Sequence, residues 1–355
     1  MAYTTIDKSG EHFNTVLYTG NNGAQTVTGV GFQPDWVWIK DRDGTERHCL
    51  TDSVRGVLKE LRSNEAAAES DRSAGDSGVA GVSAFNSDGF VLVHDDGYND
   101  NNSLQVSWNW KAGTSFTNDA SSTSVGSIDS AGSVSTDARF SIISWTGTGA
   151  NATVAHGLGS VPKTIILKNR DSAENWIVGH NSNGWGKYQT LNTNDATSTA
   201  SNIWQDTAPS SSIFTIGASG KVNGSSHKMI AYCFAEVKGY SKFGSYVGNG
   251  NADGPFVYLG FRPAFVLWKR TQDSGYDWDI YDTARDTHNV AFKELLANGN
   301  GAESDGTVLS LDILSNGFKL RTNNNNGNAS GKTYIYMAFA ENPFVNSKGI
   351  PNNAR

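Results

Sequence analysis

One short pattern occurs three times in this chain and limits the folds open to it. A proline is followed six residues later by a lysine, with an apolar run between them. The three copies are Pro34–Lys40 (PDWVWIK), Pro162–Lys168 (PKTIILK) and Pro263–Lys269 (PAFVLWK). A second apolar stretch follows each proline at offsets of 56, 52 and 55, and a third follows at offsets of 76, 72 and 76. This spacing predicts three tandem copies of one structural unit.

The composition between the apolar runs favours β-structure. Ser, Thr, Asn and Gly fill these segments, and the chain has 39 Gly but only 7 Pro, which is typical of turns. The third stretch of the first unit alternates apolar and polar residues from Leu104 to Trp110. We therefore predict a mainly β fold of three tandem antiparallel β-sandwich modules, jelly-roll-like, with short helical turns. Closure across repeats, in which the last strand of one unit completes the next, is an alternative.

The repeats also set the expected domain boundaries. They are an N-terminal arm at 1–13, module 1 at 14–113, a linker at 114–139, module 2 at 140–237, module 3 at 241–344 and a C-terminal tail at 345–355. The linker is rich in Ser, Thr and Gly, so we expect an extended segment or a long loop. Only 238–240 separates modules 2 and 3, which predicts a rigid pair, with module 1 hinged on the linker. Val54, Leu58 and Leu61 predict a short helix or helical turn.

Charge and hydropathy narrow the partners and the cellular location. Lys and Arg total 28 against 35 Asp and Glu, a net charge of −7, so a nucleic-acid partner is not expected. The chain has no apolar run of the length that spans a membrane, and no secretory signal at its start. We expect synthesis in a cytoplasm and no membrane insertion. Cys49 and Cys233 lie at non-equivalent positions, which predicts two buried thiols and neither a disulfide nor a metal site.

An Asp-x-x-Arg pair occurs in modules 1 and 3. The two copies are Asp52/Arg55 and Asp282/Arg285, and each is followed by Ala-Glu-Ser, at Glu69 and Glu303. As catalytic groups these carboxylates would form the acid/base pair of a glycosidase. As structural groups they would form ion pairs that fix a turn against the sheet. Module 2 has Gly179-His180-Asn181 in this region and lacks the pair, which favours the structural interpretation.

The basic residues at the ends of the repeated strands and two polar loops offer further candidate sites. The basic residues are Lys40, Lys168 and Lys269, with Arg42, Arg170 and Arg270 after them. They could bind an anion, but we expect charges that end a buried strand and extend to solvent. Asp95, Asp96 and Asp100 in one polar loop are candidate Ca²⁺ ligands. A polar hairpin tip is the alternative there and in the second loop, 323–326. No other cofactor is expected.

Aromatic residues beside polar loops could stack on sugar rings. The candidates for such a glycan-binding platform are Trp185, Tyr188, Trp204, Tyr276 and Trp278. Core or interface packing is the competing explanation for them. The sequence contains no HExxH, GxSxG or P-loop motif, and its seven histidines are dispersed. We therefore expect no catalytic residues and a protein that is not an enzyme.

The sequences of these motifs resemble those of a family of repeat-containing virion proteins of tailed bacteriophages, especially marine and cyanobacterial phages. The segments that carry the resemblance are the opening MAYTTIDK…FNTVLYTGNNG, then GFQPDWVWIKDRDG, DSVRG, WNWKAG, SWTGTGANATVAHGLGSVPK, YCFAEVKGYSKFGSYVGNGNADGPFVYLGFRP and LSNGFKL…YIYMAFAENPF. The resemblance covers nearly the whole chain. It implies concanavalin-like or lectin-like β-sandwich modules in an external particle component, and it implies no catalytic residues.

Three functions follow as hypotheses. The first is a non-enzymatic virion structural protein on the particle exterior, a fibre, tail-associated or capsid decoration protein, whose partners are other virion proteins and further copies of itself. The second is a host-recognition adhesin that binds cell-surface glycans through the loop aromatics. The third is a polysaccharide depolymerase that uses Asp282 or Glu303, which the absence of a short repeat period disfavours. Capsid and tail locations both fit the sequence.

Overall fold

The structure, a computed structural model, describes residues 4–74, 79–305 and 309–341. The described residues form a mainly β fold of antiparallel sheets, as predicted. The predicted tail at 345–355 lies outside the described residues, as do residues 1–3 of the arm and 342–344 of module 3. Short helical turns connect the strands. They are α1 (Asp96–Asn99), α2 (Ala120–Thr123), α3 (Ser201–Trp204), α4 (Gly220–Asn223) and α5 (Asn325–Asn328), with 3-10 turns at Ser9–Glu11 and Asn181–Asn183.

Each of the three predicted modules contributes its own sheets. The strands of module 1 are β1 (Phe13–Thr19), β2 (Gln25–Thr28), β3 (Trp36–Asp41), β4 (Cys49–Asp52), β5 (Lys59–Glu60), β6 (Ser70–Asp71), β7 (Gly81–Asn86), β8 (Gly89–Val93) and β9 (Leu104–Trp110). The segment before and within module 2 contains β10 (Thr114–Asn118), β11 (Ser130–Ser135), β12 (Phe140–Thr146), β13 (Ala152–Ala155), β14 (Thr164–Asn169), β15 (Ile177–His180), β16 (Lys187–Thr190), β17 (Ser198–Thr199), β18 (Ile213–Ile216) and β19 (Lys228–Phe234). The strands of module 3 are β20 (Ser241–Val247), β21 (Phe256–Tyr258), β22 (Pro263–Arg270), β23 (Trp278–Asp282), β24 (Leu295–Leu296), β25 (Leu311–Leu314), β26 (Gly317–Leu320) and β27 (Thr333–Ala340).

The same strand order recurs in the larger sheet of every module. The first strand pairs with the last, the last with the strand after the repeated proline, and that strand with the next one along the chain. These orders are β1-β9-β3-β4, β12-β19-β14-β15 and β20-β27-β22-β23. A smaller sheet accompanies each: β2-β8-β7, β13-β18 and β21-β26-β25. Every last strand pairs within its own module, so the alternative of closure across repeats does not occur among these strands.

The strand after each proline is buried on both faces, which explains its continuous apolar run. In β3, Val37 and Ile39 pack into a core that module 1 forms with its own smaller sheet. Trp36 and Trp38 point to the opposite face, because successive side chains of a strand alternate. Modules 2 and 3 divide β14 and β22 between two cores in the same way.

The opposite faces of the three larger sheets meet in one hydrophobic core, the central core. All three modules contribute large aromatic side chains to it. These include Trp36, Trp108, Trp110, Phe140, Tyr232, Phe234, Phe265, Trp278 and Phe339. Trp36 of module 1 stacks on Tyr232 of module 2 with ring centroids 4.3 Å apart, and Phe13 stacks on Phe339 of module 3 at 5.1 Å. Stacked aromatic pairs contribute beyond the area they bury, so the central core holds the modules together.

One hydrogen bond repeats at all three module boundaries and shows that the modules form a closed circle. The donor in each case is a ring nitrogen of a residue at the start of β4, β15 or β23, or just before it. It donates to a backbone carbonyl of the preceding module. The bonds run from Trp176 Nε1 to Arg62 O (2.7 Å), from Trp278 Nε1 to Thr190 O (2.8 Å) and from His48 Nε2 to Leu296 O (2.9 Å). Module 2 thus contacts module 1, module 3 contacts module 2, and module 1 contacts module 3. The arrangement has approximate threefold symmetry within one chain.

The segment at 114–139 is folded, so the prediction of an extended linker or long loop is wrong. It forms β10, α2 and β11, and β11 pairs with β12 through Ala131 opposite Ser144 and Ser133 opposite Ile142. A strand on the edge of a sheet gains its stability from backbone hydrogen bonds, which need few large side chains. The two strands therefore cover the edge of module 2, whereas β1 and β20 are the edge strands of modules 1 and 3.

Two further expectations differ from the structure, and a third agrees with it in part. Module 1 is not hinged, because its aromatic side chains lie in the central core with those of both other modules. The arm is not unpaired, because Ile6 and Phe13 are buried in the same core. The chain at Val54 forms one helical turn, in which Gly56 N donates to Asp52 O at 3.0 Å, and β5 follows it. The helical-turn alternative is therefore confirmed, and a longer helix does not form. Leu61 is buried there through a bridge to Leu50 of β4, so its spacing from Val54 reflects tertiary packing.

Candidate functional site

The Asp-x-x-Arg pair of module 1 begins a row of charged groups that crosses to module 2. Arg55 Nε lies 2.5 Å from Asp52 Oδ2, and Arg55 Nη1 lies 3.2 Å from Glu69 Oε2. Glu69 also accepts two hydrogen bonds of 2.8 Å from Arg170 of module 2. Tyr232 of module 2 donates to Asp52 Oδ2 at 2.7 Å. We call this row of four charged side chains a charged ladder.

A second charged ladder joins module 3 to module 1. Arg285 Nε lies 2.6 Å from Asp282 Oδ2, and Arg285 Nη1 lies 3.0 Å from Glu303 Oε2. Arg42 of module 1 donates two hydrogen bonds to Glu303, of 3.0 and 2.9 Å. Trp108 Nε1 donates to Asp282 Oδ2 at 3.0 Å, in the place that Tyr232 takes in the first ladder. Both predicted ion pairs are therefore present, and each is part of an interface between modules.

The protonation chemistry of the ladders differs from that of a glycosidase. Burial acts to raise the pKa of Glu303, but the hydrogen bond from Arg42 and the positive charges of Arg285 and Arg42 outweigh it, so this pKa lies below its usual value. A general acid needs a raised pKa. The side chains of Asp52 and Asp282 are fully buried against arginine. This geometry favours the structural interpretation of the carboxylates.

The interface between modules 2 and 3 has the same backbone hydrogen bond as the two interfaces with charged ladders, but different side chains. At all three interfaces, a backbone N–H donates to a carbonyl of the next module. The bonds run from Glu69 to Arg170 (2.7 Å), from Glu303 to Arg42 (2.6 Å) and from Thr197 to Thr271 (2.9 Å). The counterparts of the ladder residues in this third interface are His180, Asn183, Thr197 and Thr271. His180 is buried, and its Nε2 donates to Tyr336 O at 3.2 Å.

An open cavity of about 520 Å³ lies at this third interface, and we call it the 2–3 pocket. Its walls come from β16 and β17 and their flanking turns in module 2, and from the ends of β22 and β27 in module 3. Its lining is polar, and none of the described residues that line it is aromatic. The lining residues are Ser182, Asn183, Lys187, Ala196, Thr197, Thr199, Thr271, Gln272, Asp273 and Thr333.

The lysines that end the repeated strands are buried, so the expectation that they extend to solvent is wrong. Lys40, Lys168 and Lys269 are fully buried. Each ammonium group donates to the carbonyl of the residue that follows it, at distances of 2.5, 2.6 and 2.9 Å. Burial lowers the pKa of Lys168 and of Lys269 to about 8. These lysines fix the turn after the strand and are not placed to bind an external anion.

The arginines after these lysines also have protein partners. Arg42 and Arg170 belong to the charged ladders. Arg270 pairs with Asp273, and its guanidinium lies 3.8 Å from the ring centroid of Tyr276. Anion binding by these residues would require breaking those pairs, so the structure gives no support to that hypothesis.

The five candidate glycan-binding aromatics do not form one exposed platform. Trp185 and Trp204 are buried in the core of module 2 and pack edge to face, with centroids 5.4 Å apart. Trp278 is buried in the central core. Tyr188 and Tyr276 are half-buried, beside Lys221 and Arg270 respectively. Because a sugar needs an open aromatic face, the geometry favours the packing explanation for the three tryptophans.

The predicted calcium ligands are also largely engaged by the protein. Asp95 is buried, caps α1 by accepting from Gly97 N, and accepts hydrogen bonds from Arg47 and Arg72. Asp100 accepts from the backbone N–H of Asn101 at 2.7 Å. Because a carboxylate paired with arginine is a poor cation ligand, Asp95 does not support the predicted site, and its α1 cap explains why the loop is polar. The side chain of Asp96 lies outside the part of the chain that the structure describes.

Asp95 also belongs to a second group of candidate metal ligands. Ligand atoms of Cys49, Glu60 and Asp95 lie within 4.8 Å of one another. Glu60 is buried and accepts from Arg47 at 3.0 Å and from Arg62 at 2.6 Å. Burial and the nearby carboxylates raise the pKa of the Cys49 thiol well above its usual value. The group is therefore an internal ion cluster with a protonated thiol, and Cys233 is likewise a free buried cysteine.

Residues 8–343 match a protein family described as Domain of unknown function (DUF7483). The match covers almost the whole chain. The chain belongs to this family. No curated protein matches it. The family description assigns no activity, so candidate roles for residues of this DUF7483 protein rest on the geometry described above.

Sequence reasoning found the Asp-x-x-Arg pairs of this DUF7483 protein but missed the 2–3 pocket. A signal for it was available, because Thr197 lies 128 residues after Glu69, the same offset that separates Pro162 from Pro34. Aligning the modules by that offset shows that module 2 lacks the ladder glutamate. Among the residues that the structure describes, no helix combines the length and apolar character needed to cross a membrane.

Proposed function

We propose that this chain is a non-enzymatic structural component on the exterior of a tailed-bacteriophage particle. The observation that carries the proposal is the closed circle of three modules around the central core, with charged ladders at two of its three interfaces. Such an arrangement makes one rigid body from one chain. The resemblance of its motifs to phage virion proteins supplies the location. The protein would be made in the host cytoplasm and incorporated into the virion.

The approximate threefold symmetry suggests how such a component would attach. Oligomeric assemblies are built from repeated, symmetric contacts. A chain with three similar modules can present three similar surfaces to three copies of one partner. Fibres and capsid positions with threefold symmetry are sites of that kind. This supports partners among other virion proteins and leaves both a tail and a capsid location as outcomes of the test.

Cryo-electron microscopy of purified particles of the virus that encodes the chain tests the proposal. We expect density for the three-module body on the particle exterior, and quantitative mass spectrometry should find the chain in a fixed ratio to the major capsid protein. Density at tail-proximal fibres would assign a tail role, and density over the capsid lattice would assign decoration. A chain that stays in the soluble fraction of the lysate and is absent from purified particles would contradict the proposal.

A further inference from the structure

The 2–3 pocket exists at a place where the chain departs from its own symmetry. At the other two interfaces, the equivalent positions carry long charged side chains that contact one another, such as Glu69 and Arg170. Here those positions are Thr197 and Thr271, although the backbone hydrogen bond between them is kept at 2.9 Å. The backbones therefore approach in the same way while the side chains between them are shorter. The space that a charged ladder would fill is left open to solvent.

The groups around this space have unused hydrogen-bonding capacity. Thr197 Oγ1 is buried and has no hydrogen-bond partner among the described residues, and a buried hydroxyl without a partner is costly. Asn183 uses its amide nitrogen to donate to Gln189 at 3.2 Å, which leaves its carbonyl oxygen as an acceptor at the pocket. The ammonium group of Lys187 forms no ion pair within the described ranges and remains a donor. The lining thus offers donors and acceptors together.

The charges of the pocket disfavour a cationic ligand, and its uncharged polar groups favour a ligand rich in hydroxyl groups. It has one ammonium group, of Lys187, and one carboxylate, of Asp273. Arg270 and Lys332 already pair with that carboxylate, so little net negative charge is left to attract a cation. Most of the remaining lining groups are hydroxyls and amides. A cavity of about 520 Å³ falls within the range of roughly 300–1,000 Å³ typical of small-molecule sites.

We propose that the 2–3 pocket binds a saccharide through the hydroxyl of Thr197, the amide of Asn183 and the ammonium group of Lys187. The hydroxyl oxygen of Thr271, which already donates to Thr333 O at 3.0 Å, would act as an acceptor. A sugar presents several hydroxyls, each both donor and acceptor, which match this lining. Hydrogen bonds fix specificity because an unmatched buried polar group lowers affinity. The inference does not depend on the virion location, since the purified protein would bind sugar wherever it is assembled. It assigns saccharide binding to an interface between modules rather than to the aromatic side chains.

The test is saturation-transfer NMR of the purified chain with four probes: methyl α-glucopyranoside, methyl α-mannopyranoside, methyl β-galactopyranoside and N-acetylglucosamine. We expect at least one probe to bind the unmodified protein. Two variants then localise the site. Thr197→Val keeps the shape of the side chain and removes the hydroxyl, and should weaken binding by about tenfold, the effect of one good hydrogen bond. The triple variant Asn183→Arg, Thr197→Glu, Thr271→Arg rebuilds a charged ladder in the pocket and should abolish binding.

The controls separate loss of the site from loss of the fold. Thr28 is exposed on β2 of module 1, so Thr28→Arg adds the same side chain away from the pocket and should leave binding unchanged. Circular dichroism and thermal unfolding check that each variant is folded, and Thr197→Val alone decides the question if the triple variant is not. Binding of none of the four probes would overturn the proposal, as would binding that is unchanged in a folded Thr197→Val protein.

Discussion

Arg170 and Glu69 form a two-point ion pair across the boundary between modules 1 and 2, with both N–O distances at 2.8 Å. Both side chains are largely buried. The Asp-x-x-Arg motif that precedes Glu69 in the sequence is connected to module 2 through this glutamate and through the hydrogen bond from Tyr232 to Asp52. The same relationship between Arg42 and Glu303 joins module 3 back to module 1. The ladders thus help to close the circle of modules.

We expect Glu69→Gln to destabilise the whole chain. The change keeps the shape of the side chain but leaves Arg55 and Arg170 without their shared carboxylate. Removing one partner of a buried pair should lower the free energy of unfolding by roughly 2–4 kcal/mol. Urea unfolding followed by tryptophan fluorescence measures it. The matched control is Glu11→Gln, because Glu11 pairs with Lys8 at an exposed site and should have no measurable effect. Equal effects of the two changes would contradict the interface role.

Trp278→Phe should cost more stability than Trp185→Phe. Both indoles are buried. Trp278 donates a hydrogen bond to Thr190 O at 2.8 Å, whereas Trp185 Nε1 has no partner in the part of the chain that the structure describes. We expect an extra loss of about 1–3 kcal/mol for Trp278→Phe, because the Thr190 carbonyl is left unsatisfied. Comparison of the urea midpoints checks this. A larger loss for Trp185→Phe would show that cavity volume, rather than the bond between modules, dominates.

The protein should lose stability as the pH falls from about 6.5 to 4. Burial lowers the pKa of His180 and of His156 to about 4 in the folded chain. Between that value and the unfolded pKa of about 6.5, the unfolded state binds more protons. The contribution of each histidine is therefore complete above pH 6.5 and is lost towards pH 4. Urea unfolding at several pH values measures the slope. His180→Gln should make it shallower, and an unchanged slope would contradict the assignment to His180.

Gly132→Ala should detach the β10–β11 hairpin from the sheet of module 2. A Cβ atom at this position would lie 1.8 Å from Ile142 O of the neighbouring strand, so the strands would have to separate. We expect faster amide hydrogen exchange in 114–135, with little change in module 3. Gly23→Ala is the control, because its nearest new contact is 3.6 Å away at an exposed turn. Unchanged amide hydrogen exchange in the Gly132→Ala protein would mean that β11 pairs with β12 more weakly than the observed register indicates.

Much of the local architecture follows from sequence pattern alone. The apolar run from Trp36 to Ile39 predicts a strand buried on both faces, because neither side of the alternation is polar. The proline before it marks where the strand begins, since proline cannot supply a ladder hydrogen bond. Cys49 and Cys233 are buried and free, as their spacing indicated. These features depend on residues that are near one another in the chain, so they can be predicted from one sequence.

Other features depend on contacts that the residue types themselves do not reveal. Lysine normally lies at the surface, but Lys40 is buried. Its ammonium group donates hydrogen bonds to backbone carbonyls of the following turn. The hairpin at 114–139 has the composition of a linker, yet backbone pairing with β12 holds it in the sheet. The β-propensity of a segment does not show whether a sheet edge is available for the segment to pair with. In both cases a distant or non-apolar partner overrides the local preference.

The sequence by itself determined the three modules, their β-structure and the strands that each must bury. The alternation of apolar residues and the residues that favour turns are local features of a few residues, and they occur in all three repeats. Only the tertiary structure decided that the modules close into a circle, that Glu69 and Glu303 bind arginines of other modules, and that Thr197 leaves a pocket. The reason is that contacts such as the pair of Glu69 with Arg170 span 101 residues, and their geometry is set by how the three sheets pack around the central core.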